Sequence, residues 1–179
     1  NGAILLFSSQ PFTSALIMSN QKMFKYEWIW HKTHPKGHLN AKKMPMRAHE
    51  NIEVFYKKPP TYNPQMTHGH KRKVANYIRE ADGDSCYGRE VRNTSYDSTD
   101  RYPLDVQIFS NADQSNKIHN TQKPVELYRY FMRTYTNEWE TVLDFSTGSM
   151  TCAIAGIDEN RKVICIEKDE KCLDWGRIE

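Results

Sequence analysis

The residues of this 179-residue chain best suited to chemistry lie near its C-terminal end. Val142-Leu143-Asp144-Phe145 reads as a short strand, Ser146-Thr147-Gly148-Ser149 as a small-residue turn, residues 151–157 as a helix, and residues 162–166 as a second strand ending at Glu167. This is the βαβ pattern in which a glycine turn lets the backbone approach a nucleotide and an acid on the next strand accepts hydrogen bonds from ribose hydroxyls. Gly148 stands alone in the turn, without the further glycines of a dinucleotide fingerprint. The pattern therefore points away from NAD and toward another adenosine-containing cofactor. An ordinary crossover, with Asp144 capping the loop that follows it, fits the same spacing.

Other constellations are weaker. His31, His34 and His38 lie across a strand end and a loop with no cysteine or carboxylate partner set, so no metal site is expected. The chain has neither a nucleophile elbow nor a glycine-rich phosphate loop ending in Lys-Ser or Lys-Thr. The net charge of +3 hides an asymmetry: residues 22–79 hold 13 Lys and Arg against three acids (Glu27, Glu50, Glu53), and the remainder holds 12 against 19. Interleaved aromatics (Phe24, Tyr26, Trp28, Trp30, Phe55, Tyr56, Tyr62) make this half a candidate polyanion surface, although the alternation Tyr26, Trp28, Trp30 also suits a half-buried strand.

The elements that must position these groups can be read along the chain. A buried strand is expected over residues 3–9 and a short amphipathic helix from Pro11 and Thr13 to about Asn20. Two aromatic and branched runs, 26–31 and 52–57, read as strands separated by a long loop. Residues 58–117 read as an irregular insert with a short helix near 74–80 and a weak strand at 106–109. Asn120-Thr121-Gln122-Lys123-Pro124 then opens a helix with one wide apolar face, and residues 170–178 form a closing helix.

The size suits one domain, and the mean hydropathy of -0.80 argues against a membrane span. Cys86, Cys152, Cys165 and Cys172 show no close-pair spacing, which suits a reducing, cytoplasmic setting. Asn1-Gly2 leads straight into an apolar strand with no initiator Met, so a preceding segment is expected.

Asn120-Thr121-Gln122-Lys123-Pro124-Val125-Glu126-Leu127, Val142-Leu143-Asp144-Phe145-Ser146-Thr147-Gly148-Ser149 and Ile164-Cys165-Ile166-Glu167-Lys168-Asp169 resemble, in this order, three motifs of the β-class DNA amino-methyltransferases. Phe7-Ser8-Ser9-Gln10-Pro11-Phe12-Thr13-Ser14, Tyr26-Glu27-Trp28-Ile29-Trp30, Asn40-Ala41-Lys42-Lys43-Met44-Pro45 and His49-Glu50-Asn51 resemble the front-half motifs of the same family. The likeness runs nearly end to end.

The resemblance implies an α/β fold with a Rossmann-like methyltransferase sheet in circularly permuted order. Residues 1–57 would be the catalytic-half strands and a DNA-facing loop, 58–117 a target-recognition insert, and 118–179 the S-adenosylmethionine-binding half. It implies methyl transfer from S-adenosylmethionine to adenine N6, less readily cytosine N4, of a base flipped from duplex DNA in a bacterial or phage restriction-modification setting. Asn120, Thr121, Gln122, Lys123 and Pro124 would lie on the loop closing over the cofactor. Asp144, Phe145, Ser146, Gly148 and Ser149 would cradle its methionine end, Glu167 would hold the ribose, and Lys168 or Asp169 would flank the adenine. Lys32, Asn40, Lys42, Lys43, His49 and Asn51 would face DNA, and Lys71, Arg72 and Lys73 would contact phosphates. Double-stranded DNA is the expected partner, with no membrane and no metal, and a homodimer is left open.

Two departures from the family stand out. Met150 and Cys165 occupy places where the family usually has glycine, and a side chain there would crowd the cofactor. Asp-Pro-Pro-Tyr, the motif that accepts the target amine in the family, occurs nowhere in the chain, and Lys58-Pro59-Pro60-Thr61-Tyr62 lacks the acceptor before the prolines. No catalytic residue is therefore assigned. The alternative to an enzyme is a non-catalytic DNA-binding remnant of one.

Overall fold

The computed structural model of the chain describes residues 2–79, 92–111 and 122–169. Strand β1 (Ile4–Ser8) pairs antiparallel with β3 (Arg47–Phe55), which pairs antiparallel with β2 (Phe24–Lys36), and β2 pairs in parallel with β6 (Val106–Phe109). Successive strand residues point to opposite faces, so one face of this sheet collects Trp28, Trp30, Ile52 and Val54, all buried. Helix α2 (Val125–Tyr135) covers that face with Leu127, Phe131 and Tyr135.

The other side of α2 meets a smaller parallel pair. Strands β7 (Thr141–Asp144) and β8 (Lys162–Cys165) run side by side, joined by helix α3 (Thr151–Asp158). Val125, Tyr128 and Met132 of α2 pack with Cys152, Ala155, Val142 and Val163. Gly156 lets α3 approach β8: a Cβ there would lie 2.0 Å from Val163 Cγ2. The expected βαβ unit is present, and the closing helix over 170–178 lies outside the described residues.

Helix α1 (Phe12–Ser19) lies on the opposite face of the four-stranded sheet, where the packing is polar. Thr13 and Ser8 share a 2.7 Å hydrogen bond, and Ser8 Oγ donates to Glu53 Oε1 at 2.8 Å. Glu53 is fully buried, and its Oε2 has no hydrogen-bond partner among the described residues.

Backbone packing divides the chain into one unit of residues 1–63 and 104–179 and another of residues 64–103. The second unit is built on an antiparallel ribbon, β4 (Lys73–Arg79) with β5 (Arg92–Ser98). The helix expected near 74–80 is therefore not formed over residues 74–79, and residue 80 lies outside the described residues. Val74, Ala75, Tyr77 and Ile78 suit a helix by spacing, but branched and aromatic side chains also suit a pleat, and pairing with β5 decides. Another departure is the loop expected between β2 and β3: both strands extend into it, and a 3-10 turn over His38–Asn40 occupies its middle.

Burial lifts the Glu53 carboxyl above the ordinary glutamate range; the Ser8 hydrogen bond opposes this and Glu27 across the strand pair adds to it. A carboxyl harder to ionise in the folded chain favours folding at low pH, and that advantage is lost as pH rises through the raised value. Glu53→Gln is expected to gain stability over wild type progressively above about pH 5, read as a growing difference in urea midpoints. A difference that stays constant with pH would contradict this.

Candidate functional site

The carboxyl ends of β7 and β8 meet at a turn organised by two acids. Asp144 O accepts from Ile166 N at 2.8 Å, and Thr147 N donates to Ile166 O at 3.2 Å, so the two strand ends are laced together. Glu167 Oε2 accepts from Gly148 N at 2.6 Å, while its Oε1 accepts from Lys168 N at 2.8 Å and Asp169 N at 3.0 Å. A carboxylate held by three backbone donors is oriented in advance.

Asp144 Oδ1 accepts from Ser146 N at 3.1 Å. Asp144 Oδ2 and Thr147 Oγ1 are buried without an oxygen or nitrogen hydrogen-bond partner among the described residues, with only the thiols of Cys152 and Cys165 beside them. Buried polar atoms are normally paired, so two orphans beside one turn fit a polar ligand that would satisfy them. Gly148 has φ +54°, a left-handed conformation natural to glycine, which keeps the turn bare at its bend. Ser149 is buried, its hydroxyl 2.9 Å from that of Thr151, and Phe145 is exposed.

Met150 does not simply fill the place of a glycine. It takes up φ +57°, a conformation that L side chains adopt only at a steric cost. Burial pushes the Cys152 thiol up, with Asp144 and Cys165 adding to the shift, and burial raises Cys165 against the nearby Thr147 hydroxyl. Both thiols are therefore held protonated and are poor nucleophiles. The Tyr128 hydroxyl is driven above the tyrosine range by burial first and by the Asp144 charge second.

Of the expected loop over the cofactor, Asn120 and Thr121 lie outside the described residues, while Gln122, Lys123 and Pro124 lead into α2. The Lys123 ammonium is turned to the four-stranded sheet, 3.0 Å from Glu50 Oε2 and 5.2 Å from the centre of the Phe7 ring.

The residues expected to face DNA divide sharply. Asn40, Lys42, Lys43 and His49 are exposed on or beside the β2–β3 connection. Lys32 is not: it is buried over the Trp30 ring with its ammonium 2.5 Å from Glu50 Oε1. Asn51 is half-buried and donates to Glu27 Oε2 at 2.7 Å, which commits its amide. In the second unit Lys71 and Lys73 are exposed, whereas Arg72 turns its guanidinium fork onto Asp97. Among the described residues no group of three His, Cys, Asp or Glu is placed to hold a metal, and no helix is long and apolar enough to cross a membrane.

Glu50 is the functional candidate that motif reading missed. Burial works to raise its carboxyl, but the Lys32 hydrogen bond and the Lys123 charge outweigh this and hold it below the usual glutamate range. The signal was available in the period of two: Glu50, Ile52 and Val54 share a face, as do Trp28, Trp30 and Lys32.

Comparison with known proteins gives the family and the fold. A family model described as DNA methylase matches residues 1–176. Three solved structures are similar over 99% of the chain. The S-adenosylmethionine complex of M1.HpyAVI has 22% identity, a TM-score of 0.65 and 73% of its own chain covered. A further M1.HpyAVI structure has 18% identity, a TM-score of 0.61 and 71% covered. The cytosine-N4-specific PvuII DNA methyltransferase has 15% identity, a TM-score of 0.65 and 64% covered. No curated protein sequence gives a match. At these identities the structural likeness carries the fold, a Rossmann-like methyltransferase fold.

The strained turn yields a direct test. Met150→Gly is expected to raise thermal stability by roughly 1 kcal/mol, because glycine adopts a positive φ without steric cost. Lower stability in the variant would mean that packing of the Met150 side chain outweighs the strain.

Proposed function

The chain belongs to the DNA methylase family whose model spans its residues 1–176, and we propose that it serves methyl transfer from S-adenosylmethionine to an exocyclic amine of a flipped DNA base. Adenine N6 is the first amine to test and cytosine N4 the second. The observation that supports this most is the pairing of a pre-oriented Glu167 with the orphaned Asp144 Oδ2 across one bare glycine turn. Glu167 would accept the ribose hydroxyls, Asp144 an ammonium or N–H of the methionine end, and Gly148 would admit the ligand against the backbone. S-adenosylmethionine itself would supply a methyl group already activated on a sulfonium. What remains for the protein is to hold the base amine in line with that methyl, which a paired and stacked base does not allow.

The DNA side of the reading rests on exposed cations. Asn40, Lys42, Lys43 and His49 would meet DNA in the first unit, Lys71 and Lys73 phosphates in the second. The second reading is a DNA-binding relative without catalysis, and Asp-Pro-Pro-Tyr does not occur within the 179 residues. Calorimetric titration separates the two. Measurable S-adenosylmethionine affinity that falls at least about tenfold in Glu167→Ala is expected, since an alanine replaces no charge-assisted bond. Absence of binding by wild type would leave the remnant reading. With labelled cofactor and mixed duplex DNA, the chain alone is expected to transfer no methyl group, and turnover would place the acceptor within these residues.

Salt dependence tests the cation assignment. Lys71→Ala with Lys73→Ala is expected to flatten the slope of log affinity against log salt by about 0.9 for each phosphate no longer neutralised. Arg72→Ala, whose guanidinium already serves Asp97, should change it little. Equal effects from all three would return Arg72 to the phosphate-binding set.

A further inference from the structure

Glu50 is gripped by two lysines from distant parts of the chain. Lys32 reaches Oε1 from β2 at 2.5 Å, and Lys123 reaches Oε2 from the segment entering α2 at 3.0 Å. The three side chains retain only 10%, 20% and 19% exposure for Lys32, Glu50 and Lys123. Charges withdrawn this far from water persist only with close partners. Here one carboxylate answers two ammonium groups, and aromatic faces take up the surplus positive charge: Lys32 lies 5.1 Å from the Trp30 ring centre, and Lys123 lies 5.2 Å from that of Phe7 and 6.0 Å from that of Trp30. Pulling either lysine away from Glu50 leaves its ammonium uncompensated in a poorly hydrated place, whereas removing one lysine leaves the other paired with Glu50.

Their positions in the fold give this cluster a consequence. Lys32 stands where β2 leaves the body of the sheet for the β2–β3 connection, and Glu50 is the register partner of Trp30 on the return strand. Lys123 belongs to the 122–124 segment at the start of α2. We infer that Glu50 is a positioning residue that ties the 122–124 segment to the root of the β2–β3 hairpin, so that the cofactor side and the DNA side share one electrostatic anchor. The inference rests on the reading above for what those two sides bind, but the tether itself does not.

Hydrogen exchange of the full 179-residue chain, followed by mass spectrometry, tests the tether without any ligand. In Glu50→Gln, amides of residues 122–127 are expected to exchange at least about tenfold faster, while β7 stays protected. Unchanged exchange at 122–127 overturns the inference. If Glu50→Gln loosens the whole sheet, Lys123→Met decides instead, because it leaves the Lys32–Glu50 pair standing: faster exchange confined to 122–127 supports the tether and no change overturns it. Lys32→Met separates positioning from general packing. It is expected to loosen the hairpin root over 33–47 and to leave 122–127 as protected as in wild type, whereas loosening of both would mean only a weakened core and overturns the tether. Titration of S-adenosylmethionine then isolates the functional part. Several-fold weaker binding by Lys123→Met is expected, and equal affinity overturns the link to the cofactor side. Failure of wild type itself to bind rejects the cofactor reading and leaves the tether to the exchange data.

Discussion

Helix α2 has to be apolar toward two neighbours at once, and most of the structure depends on how it does so. Leu127, Phe131 and Tyr135, spaced by four, lie against the four-stranded sheet, while Val125, Tyr128 and Met132 lie against α3 and the β7–β8 pair. At 100° per residue these positions merge into one broad arc, and Glu126, Arg129 and Arg133 fall outside it. Those three pair with each other, Asp158 and Glu159, which holds α3 alongside without further apolar surface. Burying Leu127 or Phe131 contributes about 1.5–3 kcal/mol each, so an 11-residue helix too short to stand alone is secured by its neighbours. Tyr135 completes the seam. Its hydroxyl accepts from Trp28 Nε1 at 2.7 Å and bonds Tyr26 Oη at 2.8 Å, so the polar tip of a buried ring is satisfied within the core.

The same core face ends in charge. Along β2 the inward positions run Trp28, Trp30, Lys32, and along β3 they run Val54, Ile52, Glu50, so an aromatic and aliphatic surface passes into an ion cluster at the rim of the sheet. Isolated buried ion pairs seldom add net stability. One that draws a third group, Lys123, from a distant part of the chain adds something that apolar packing does not, a defined position for the segment entering α2.

At the β7–β8 end, the backbone carries most of the organisation. Glu167 is oriented by three N–H groups, one of them across the turn at Gly148, so the acid and the glycine depend on each other for their geometry. Met150 tolerates a left-handed conformation beside it, which shows that the shape of the turn outweighs the preference of the residue. The orphaned oxygens of Asp144 and Thr147 are unfavourable in the absence of a partner and become useful when a ligand provides one.

The periodic elements and the strand-turn-helix-strand unit around Gly148 were legible along the chain, because a period of two or of 3.6 and the bare backbone of glycine are local properties. The motifs also carried the family likeness, since their residues are contiguous. Local patterning failed where the partner strand decides: residues 73–79 suit a helix by spacing and form a strand only because 92–98 pair with them. Side-chain commitment was equally hidden. Lys32, Asn51 and Arg72 read as free polar groups along the chain, yet Glu50, Glu27 and Asp97 respectively take them up. Folding alone brought Glu50 between Lys32 and Lys123, because an ion pair is set by distance in space and residues 18 and 73 positions away from it leave no periodic trace.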